Sequence, residues 1–291
     1  YIMLFRDAKR IKYILNQPHY IGHDALLNDC EININQDYCD MAVSTITCSG
    51  SFNASIDLDK LFRFVPLNVH NVLSIKYNNI YRCLQCLLSK KRTKLTNKCF
   101  ENQTTMVVNV ENDRNINVKL FPNGSFQMTG CKSLKDCNIL LNKLKVLLET
   151  DFYVFNETMI NIGRIANTNE KLRVIKFSKD MINVVFNLGF QINRHALYKI
   201  MLNRKEKATF DKGRHPAVIV KLPNGSEECK KKKFITLIIF ESGKIMITGN
   251  KNNDTILDSY NFISAIITEH KTDIIQIPKY LNDAEIKNIE E

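Results

Sequence analysis

An α+β fold made of two copies of one unit, strand, helix, several strands and a second helix, is what this sequence predicts. Three observations carry that expectation. The first is self-similarity, the signature of a repeat architecture. Residues 120–132 and 239–251 share Phe121/Phe240, Gly124/Gly243, Thr129/Thr248, Gly130/Gly249 and Lys132/Lys251 at identical offsets. The second is period-2 alternation on either side of each central glycine, which reads as a β-hairpin with that glycine in the turn. The third is size: 291 residues with 44% hydrophobic content supply a core for about two units at roughly 150 residues each. No apolar run approaches the ~18 residues of a membrane helix, so a spanning protein is excluded and no membrane partner is expected.

The elements follow in order. Residues 43–52 alternate as a strand, and Ile56-Asp57-Leu58-Asp59-Lys60-Leu61 opens a short helix. After the first hairpin, Ser133-x-x-Asp136 resembles a capping box and starts a helix to about Leu148. The second unit repeats the plan. Residues 181–190 read as a strand, and Asn193 caps a helix through Ala196, Leu197, Ile200 and Met201. The second hairpin precedes a helix from near Asn253 through Ile256, Tyr260, Ile263 and Ile267. Alternation also sorts the hairpin side chains by face. Leu120, Phe126 and Met128, like Leu237, Ile239, Ile245 and Ile247, should meet the helices. Lys119, Phe121, Gln127 and Thr129, like Ile238, Phe240, Met246 and Thr248, form the opposite face. That mixture of aromatic, hydroxyl, amide and lysine is unusual for solvent and suggests a binding surface.

Charge points to the partner. Forty-one basic against 30 acidic residues give a net +11, as expected of a chain that meets a polyanion. Ten basic residues against four acidic ones lie between Arg204 and Lys233, where phosphate contact is the functional reading and a solvated lysine loop the bland one. Lys90, Lys91, Arg92 and Lys94 form a lesser cluster. Nine scattered cysteines fit an intracellular, reducing compartment. Cys83-x-x-Cys86 has the spacing of half a zinc site and sits in an apolar stretch that reads as helix. A second ligand pair is absent from the sequence, so free thiols are expected and no metal or cofactor is assigned. No phosphate-binding loop, nucleophile elbow or zinc-protease motif is present, and the six histidines are scattered singly, so no catalytic residue and no enzyme is expected.

Leu237 to Lys251 closely resembles the signature of the TATA-binding protein family, L-I-F-x-S-G-K-x-x-x-T-G-A-K, present there once per repeat. Phe121-x-x-Gly124-x-x-x-x-Thr129-Gly130-Cys131-Lys132 is similar to the same signature in eroded form. With its lysine- and asparagine-rich composition and long insertions, the chain resembles the divergent members carried by large DNA viruses. The resemblance implies a saddle: a curved antiparallel sheet with helices on its convex face and DNA on its concave one. The organisation it implies is an extension at 1–40, repeat 1 at 41–150 with an insertion at about 78–103, and a linker at 151–178. Repeat 2 at 179–272 carries a basic insertion at about 204–233, and 273–291 is a tail.

By that resemblance the chain is a monomeric DNA-binding transcription initiation factor for AT-rich minor grooves. It would act in the nucleus or a viral factory, or travel in the virion, with other transcription factors or RNA polymerase as partners. Phe121 and Phe240 match the family's wedges, and Thr129 and Thr248 its groove-facing threonines. Gln127 and Met246 stand where the family places valines. Asn183 or Met181 sits at the groove-reading asparagine, with Val185 on the same strand and Val43, Thr45 and Thr47 as the repeat 1 equivalents. Lys119, Ile238, Lys221, Lys244 and His215 complete the expected DNA-binding set. Four departures stand out. The second wedge position falls on Thr104 in repeat 1 by ungapped counting and on His215 in repeat 2, with Phe100 and Phe210 near enough to substitute. The repeat 1 asparagine is missing. The loop that receives transcription factor IIB in the family is acidic there and reads Asp211-Lys212-Gly213-Arg214 here, so that contact is altered. These losses leave a second reading open, a protein-interaction scaffold with weakened DNA binding. A third is lysine-driven, non-specific binding of single strands or RNA.

Overall fold

The computed structural model of the chain describes residues 41–84, 101–110, 114–156, 158–211, 213–224, 233–250 and 253–276. The 1–40 extension, Cys86, the Lys90–Lys94 cluster, Phe100, Lys212, Lys230–Lys232 and the tail beyond residue 276 lie outside them. The described residues divide into two compact units, 45–180 and 181–276 together with 41–44.

Alternation and turn chemistry build the first unit as expected. It contains β1 (Ala42–Phe52, from Thr45 onward), β2 (Ser55–Ile56), α1 (Leu58–Phe64), β3 (Val72–Tyr77), β4 (Ile80–Cys83) and β5 (Thr104–Asn109). β6 (Asn115–Leu120), β7 (Ser125–Cys131) and α2 (Leu134–Glu149) follow. The strands form an antiparallel sheet in the order β1-β7-β6-β5-β3-β4. Ser133 and Asp136 make the capping box in full. From that cap α2 runs to Glu149, burying Leu140, Leu141, Leu144, Leu147 and Leu148 along one stripe. The 151–178 segment folds in part as a hairpin of β8 (Phe152–Asn156) and β9 (Thr158–Gly163), and β10 (Ala166–Asn167) pairs with β2.

Cys83 differs from expectation: it ends strand β4 rather than lying in a helix. Asn78 and Asn79 adopt φ +45° and +63°, the left-handed pair that a tight hairpin needs, and so turn the chain back against β3. On β4, Arg82 donates to the carbonyls of Phe62, Arg63 and Val65, satisfying the C-terminal end of α1. Three other cysteines, Cys48, Cys131 and Cys137, are buried and free. Hydrogen bonding with Cys131 and Cys48, together with burial, pushes the Cys137 thiol up, which keeps it protonated and inert.

The second unit holds β11 (Val174–Asn187, from Met181 onward), α3 (Arg194–Asn203), β12 (Lys207–Thr209) and β13 (Ala217–Asn224). β14 (Lys233–Phe240), β15 (Lys244–Asn250), α4 (Asn253–Glu269) and α5 (Lys271–Ile274) complete it. Its strands run β12-β13-β14-β15-β11, all antiparallel. Asn193 accepts from the His195 and Ala196 N–H groups, the predicted cap. Ile256, Ile263, Ile266 and Ile267 of α4 are buried. Among the described residues no helix is long and apolar enough to cross a membrane.

The two units solve the same closure problem alike. Each hairpin glycine has φ near +80° and stacks on the loop ahead of its repeat's first helix. A Cβ would stand 2.1 Å from Ala54 O at Gly124 and 2.1 Å from Phe190 O at Gly243, so no other residue fits. Phe52 N–H donates to Gly124 O at 3.0 Å and Leu188 N–H to Gly243 O at 3.1 Å. Ile56 and Ile192 N–H donate to Pro122 and Glu241 carbonyls, both at 2.8 Å.

Candidate nucleic-acid interface

Strand register turns the alternation into rows of side chains. In the first unit the inner rows are Thr104–Leu120–Phe126–Gly50 and Met106–Val118–Met128–Cys48. In the second they are Val218–Ile239–Ile245–Phe186 and Val220–Leu237–Ile247–Val184. Apart from Gly50, every member of these rows is buried. One face of each sheet is therefore closed, and the candidate site lies on the other.

The outer face of the second unit carries the row Thr209–Ile219–Ile238–Met246–Val185. Beside it run Lys207–Lys221–Thr236–Thr248, and Ala217 opposite Phe240. A register shift at Gly249 leaves Asn183 between the paired positions Ile182 and Val184, and Thr248 Oγ1 donates to Asn183 Oδ1 at 2.6 Å. Met181 Sδ lies 3.7 Å from the same hydroxyl, so Asn183 and Met181 share one face as expected. Lys244 stands opposite Asn187 at the exposed end of β15. The His215 ring lies 6.2 Å from that of Phe240.

Sequence reasoning missed the residue that ties this corner together. Arg194, only 16% exposed, donates to Pro216 O, pairs with the Glu241 carboxylate and covers the Phe210 ring at 5.4 Å. It thus grips the residue after His215 and the residue after Phe240 at once. Phe210 is consequently not a substitute wedge: it packs against α3, 4.9 Å from the His195 ring and 6.1 Å from Tyr198. A basic residue in the first turn of a helix opposes the helix dipole and is the one signal the sequence offered. Arg204 and Arg214 of the basic stretch pair with Glu269 at 3.0 Å and Asp211 at 3.4 Å, whereas Lys207 lies over the Phe234 ring at 4.6 Å.

The first unit sets its expected residues level by register with those of the second, but Thr47, expected on the binding face, is buried. Its outer rows are Lys76–Thr105–Lys119–Gln127–Ser49 and Val107–Asn117–Thr129–Thr47. A shift at Gly130 mirrors that at Gly249 and sets Thr47 against Thr129, so Thr47 is the counterpart of Asn183. Thr45 and Val43 continue the same side of β1, and half-buried Phe121 closes its hairpin through N–H to Ser125 O at 3.0 Å. Thr104 does not stand at the second wedge position. It pairs with Leu120 on the inner face, fully buried, and its hydroxyl has no hydrogen-bond partner among the described residues. Register, not counting, finds the equivalent of His215. Ala217 faces Phe240 and Thr104 faces Leu120, so Gln103 is level with Phe121 and exposed Glu101 takes the place of His215.

Two repeats of one α+β unit, each with one buried apolar sheet face and a second face of mixed aromatic, hydroxyl, amide and lysine side chains, define an internally duplicated α+β protein. The family model for "Transcription factor TFIID (or TATA-binding protein, TBP)" matches residues 180–270. A TATA-box-binding protein-like protein of Acanthamoeba polyphaga mimivirus is 30% identical over 280 residues, covering 91% of this chain and 73% of that protein. The chain belongs to the TATA-binding protein family, as a divergent member of the viral kind, and so to a family of non-enzymatic DNA-binding transcription factors. The solved structure of Methanococcus jannaschii TBP aligns with a TM-score of 0.46 at 16% identity, over 79% of this chain and 98% of that one.

Proposed function

We propose that the chain is a transcription initiation factor that binds the minor groove of AT-rich duplex DNA through the outer faces of its two repeats. Phe121 and Phe240 act as wedges. The observation that carries this reading is the second unit's outer face, where Phe240 stands beside the apolar row Ile219–Ile238–Met246 and the Asn183–Thr248 hydrogen-bonded pair. An A·T minor groove offers only acceptors and a narrow apolar floor, which hydroxyl, amide and aliphatic groups suit. An aromatic wedge unstacks a base step at a few kcal/mol, offset by wrapping contacts, and this family is itself a standard case of such insertion.

Repeat 1 spans 41–150 and repeat 2 spans 179–272, and the factor works as a monomer in the nucleus or viral factory. Lys207, Lys221 and Lys244 supply phosphate contacts, with Lys119 in repeat 1. Asp211, Gly213 and Arg214, with the Asp211 carboxylate and the Arg214 guanidinium paired with each other, give a partner a different surface from the family's acidic loop. Specific observations favour a second reading, an interaction scaffold with weakened DNA binding: polar Gln127, Lys119 and Ser49 on the first repeat's outer row, and Glu101 at a wedge position.

End-to-end fluorescence transfer on an AT-rich duplex, at two salt concentrations, separates the readings. Bending that collapses in Phe121→Ala/Phe240→Ala is expected. In addition, Lys207→Gln and Lys221→Gln should each lower the slope of log affinity against log salt by about one. Salt-sensitive binding without bending, unchanged by the wedge substitutions, would overturn the groove mechanism and leave the lysine surface as the function.

A further inference from the structure

We infer that the two repeats read different base pairs: repeat 2 admits only A·T, whereas repeat 1 also accepts G·C. This rests on the minor-groove reading above and deepens it. Equivalent outer positions carry opposite chemistry. Ile238, Met246 and Val185 in the second unit correspond by register to Lys119, Gln127 and Ser49 in the first. The inner rows at the same strands stay apolar in both units, so the change is confined to the open face.

The minor-groove edge of G·C differs from that of A·T by one group, the guanine N2 amino donor. Pressed against Ile238, Met246 and Val185, that amino group loses its water and gains no acceptor, a penalty that excludes G·C. Gln127 and Ser49 change the outcome. The Gln127 amide carries both an acceptor for guanine N2–H and a donor for adenine N3 or thymine O2, and the Ser49 hydroxyl rotates to either role. Gln127 and Ser49 are directly opposite each other on β7 and β1, so both can address the same base pair. Lys119 stands beside Gln127 on β6, and its ammonium donates to groove acceptors or phosphate whichever base is present.

Selection from a random duplex pool with the full chain tests this. The expected pool shows a block restricted to A·T next to a block in which G·C survives, with roughly tenfold discrimination between blocks. Lys119→Ile/Gln127→Val/Ser49→Val should remove G·C from the second block and leave the first unchanged. Met246→Gln, a single change on the other repeat, should admit G·C to the first block even if the triple variant folds poorly. Exclusion of G·C from both blocks in the wild type would overturn the inference while the minor-groove reading stands. Tolerance that neither variant shifts would also overturn it. A pool without A·T enrichment in any block would instead remove the minor-groove reading, and Phe240→Ala, leaving bending unchanged, would identify that failure.

Discussion

The two repeats share a scaffold and differ on the surface it presents. Their inner faces are buried in both, although the residues that fill them differ. Phe126 crosses onto Gly50 in the first, where a Cβ on the glycine would meet the ring at 2.4 Å. In the second, Phe186 carries the ring and Ile245 is its smaller partner. Phe126 packs on Phe52 at 5.1 Å and Phe186 on Tyr260 at 4.9 Å, so the aromatic stands on opposite strands of the pair in the two repeats and packs on a second ring in each. Closed packing constrains both inner faces because cavities and overpacking both cost stability. The outer faces obey no such constraint. Repeat 2 has aliphatic groups, Phe240 next to the Arg194–Glu241 ion pair and a histidine beside it, while repeat 1 has polar side chains and Glu101. A face outside the packed core is free to differ between the repeats.

That contrast can be broken or sharpened by four measurements. The largest effect belongs to the shared scaffold. Gly124→Ala and Gly243→Ala should each cost roughly 3 kcal/mol or more, from a strained positive φ and a backbone clash. Thermal melts should find the two losses similar, and a large inequality would break the equivalence of the turns. The next effect should be unequal. Phe240→Ala is expected to lose about 2 kcal/mol of DNA affinity, roughly 30-fold, and most of the bend. Phe121→Ala should lose about fivefold, and the reverse ranking would mean that repeat 1 is the anchor.

Arg194→Ala should weaken bending by about 1–2 kcal/mol while leaving salt dependence intact, because it removes the support of the wedge and not a phosphate contact. Arg194→Lys should restore little, since one ammonium cannot serve the Pro216 carbonyl, the Glu241 carboxylate and the Phe210 face together. The smallest change is a gain. Thr104→Val replaces a buried hydroxyl without a partner by the residue type that Val218 supplies at the matching position, and should stabilise by about 1 kcal/mol in denaturant titration.

Much of this was legible beforehand. The hairpins, both of their glycines, the Ser133 and Asn193 caps and the helices beginning at 134, 194 and 253 follow from short-range pattern. The faces of the hairpins were readable too, because alternation needs no knowledge of a partner strand. Thr104 was not, since counting back from Phe121 ignores the hairpin register that pairs it with Leu120. Nor was Cys83, whose neighbours read as helix until two left-handed asparagines turn them into an edge strand.

The sequence by itself determined the duplication, the order of elements, the inward and outward parity of each strand and the basic charge. All of these depend on residues a few positions apart or on composition. Only the tertiary structure decided which outer residues stand side by side, that Glu101 rather than Thr104 matches His215, and that Arg194 reaches both Pro216 and Glu241. Those relations join positions tens of residues apart across loops of unequal length. Register is set when the sheet closes on its helices, and no local pattern encodes it.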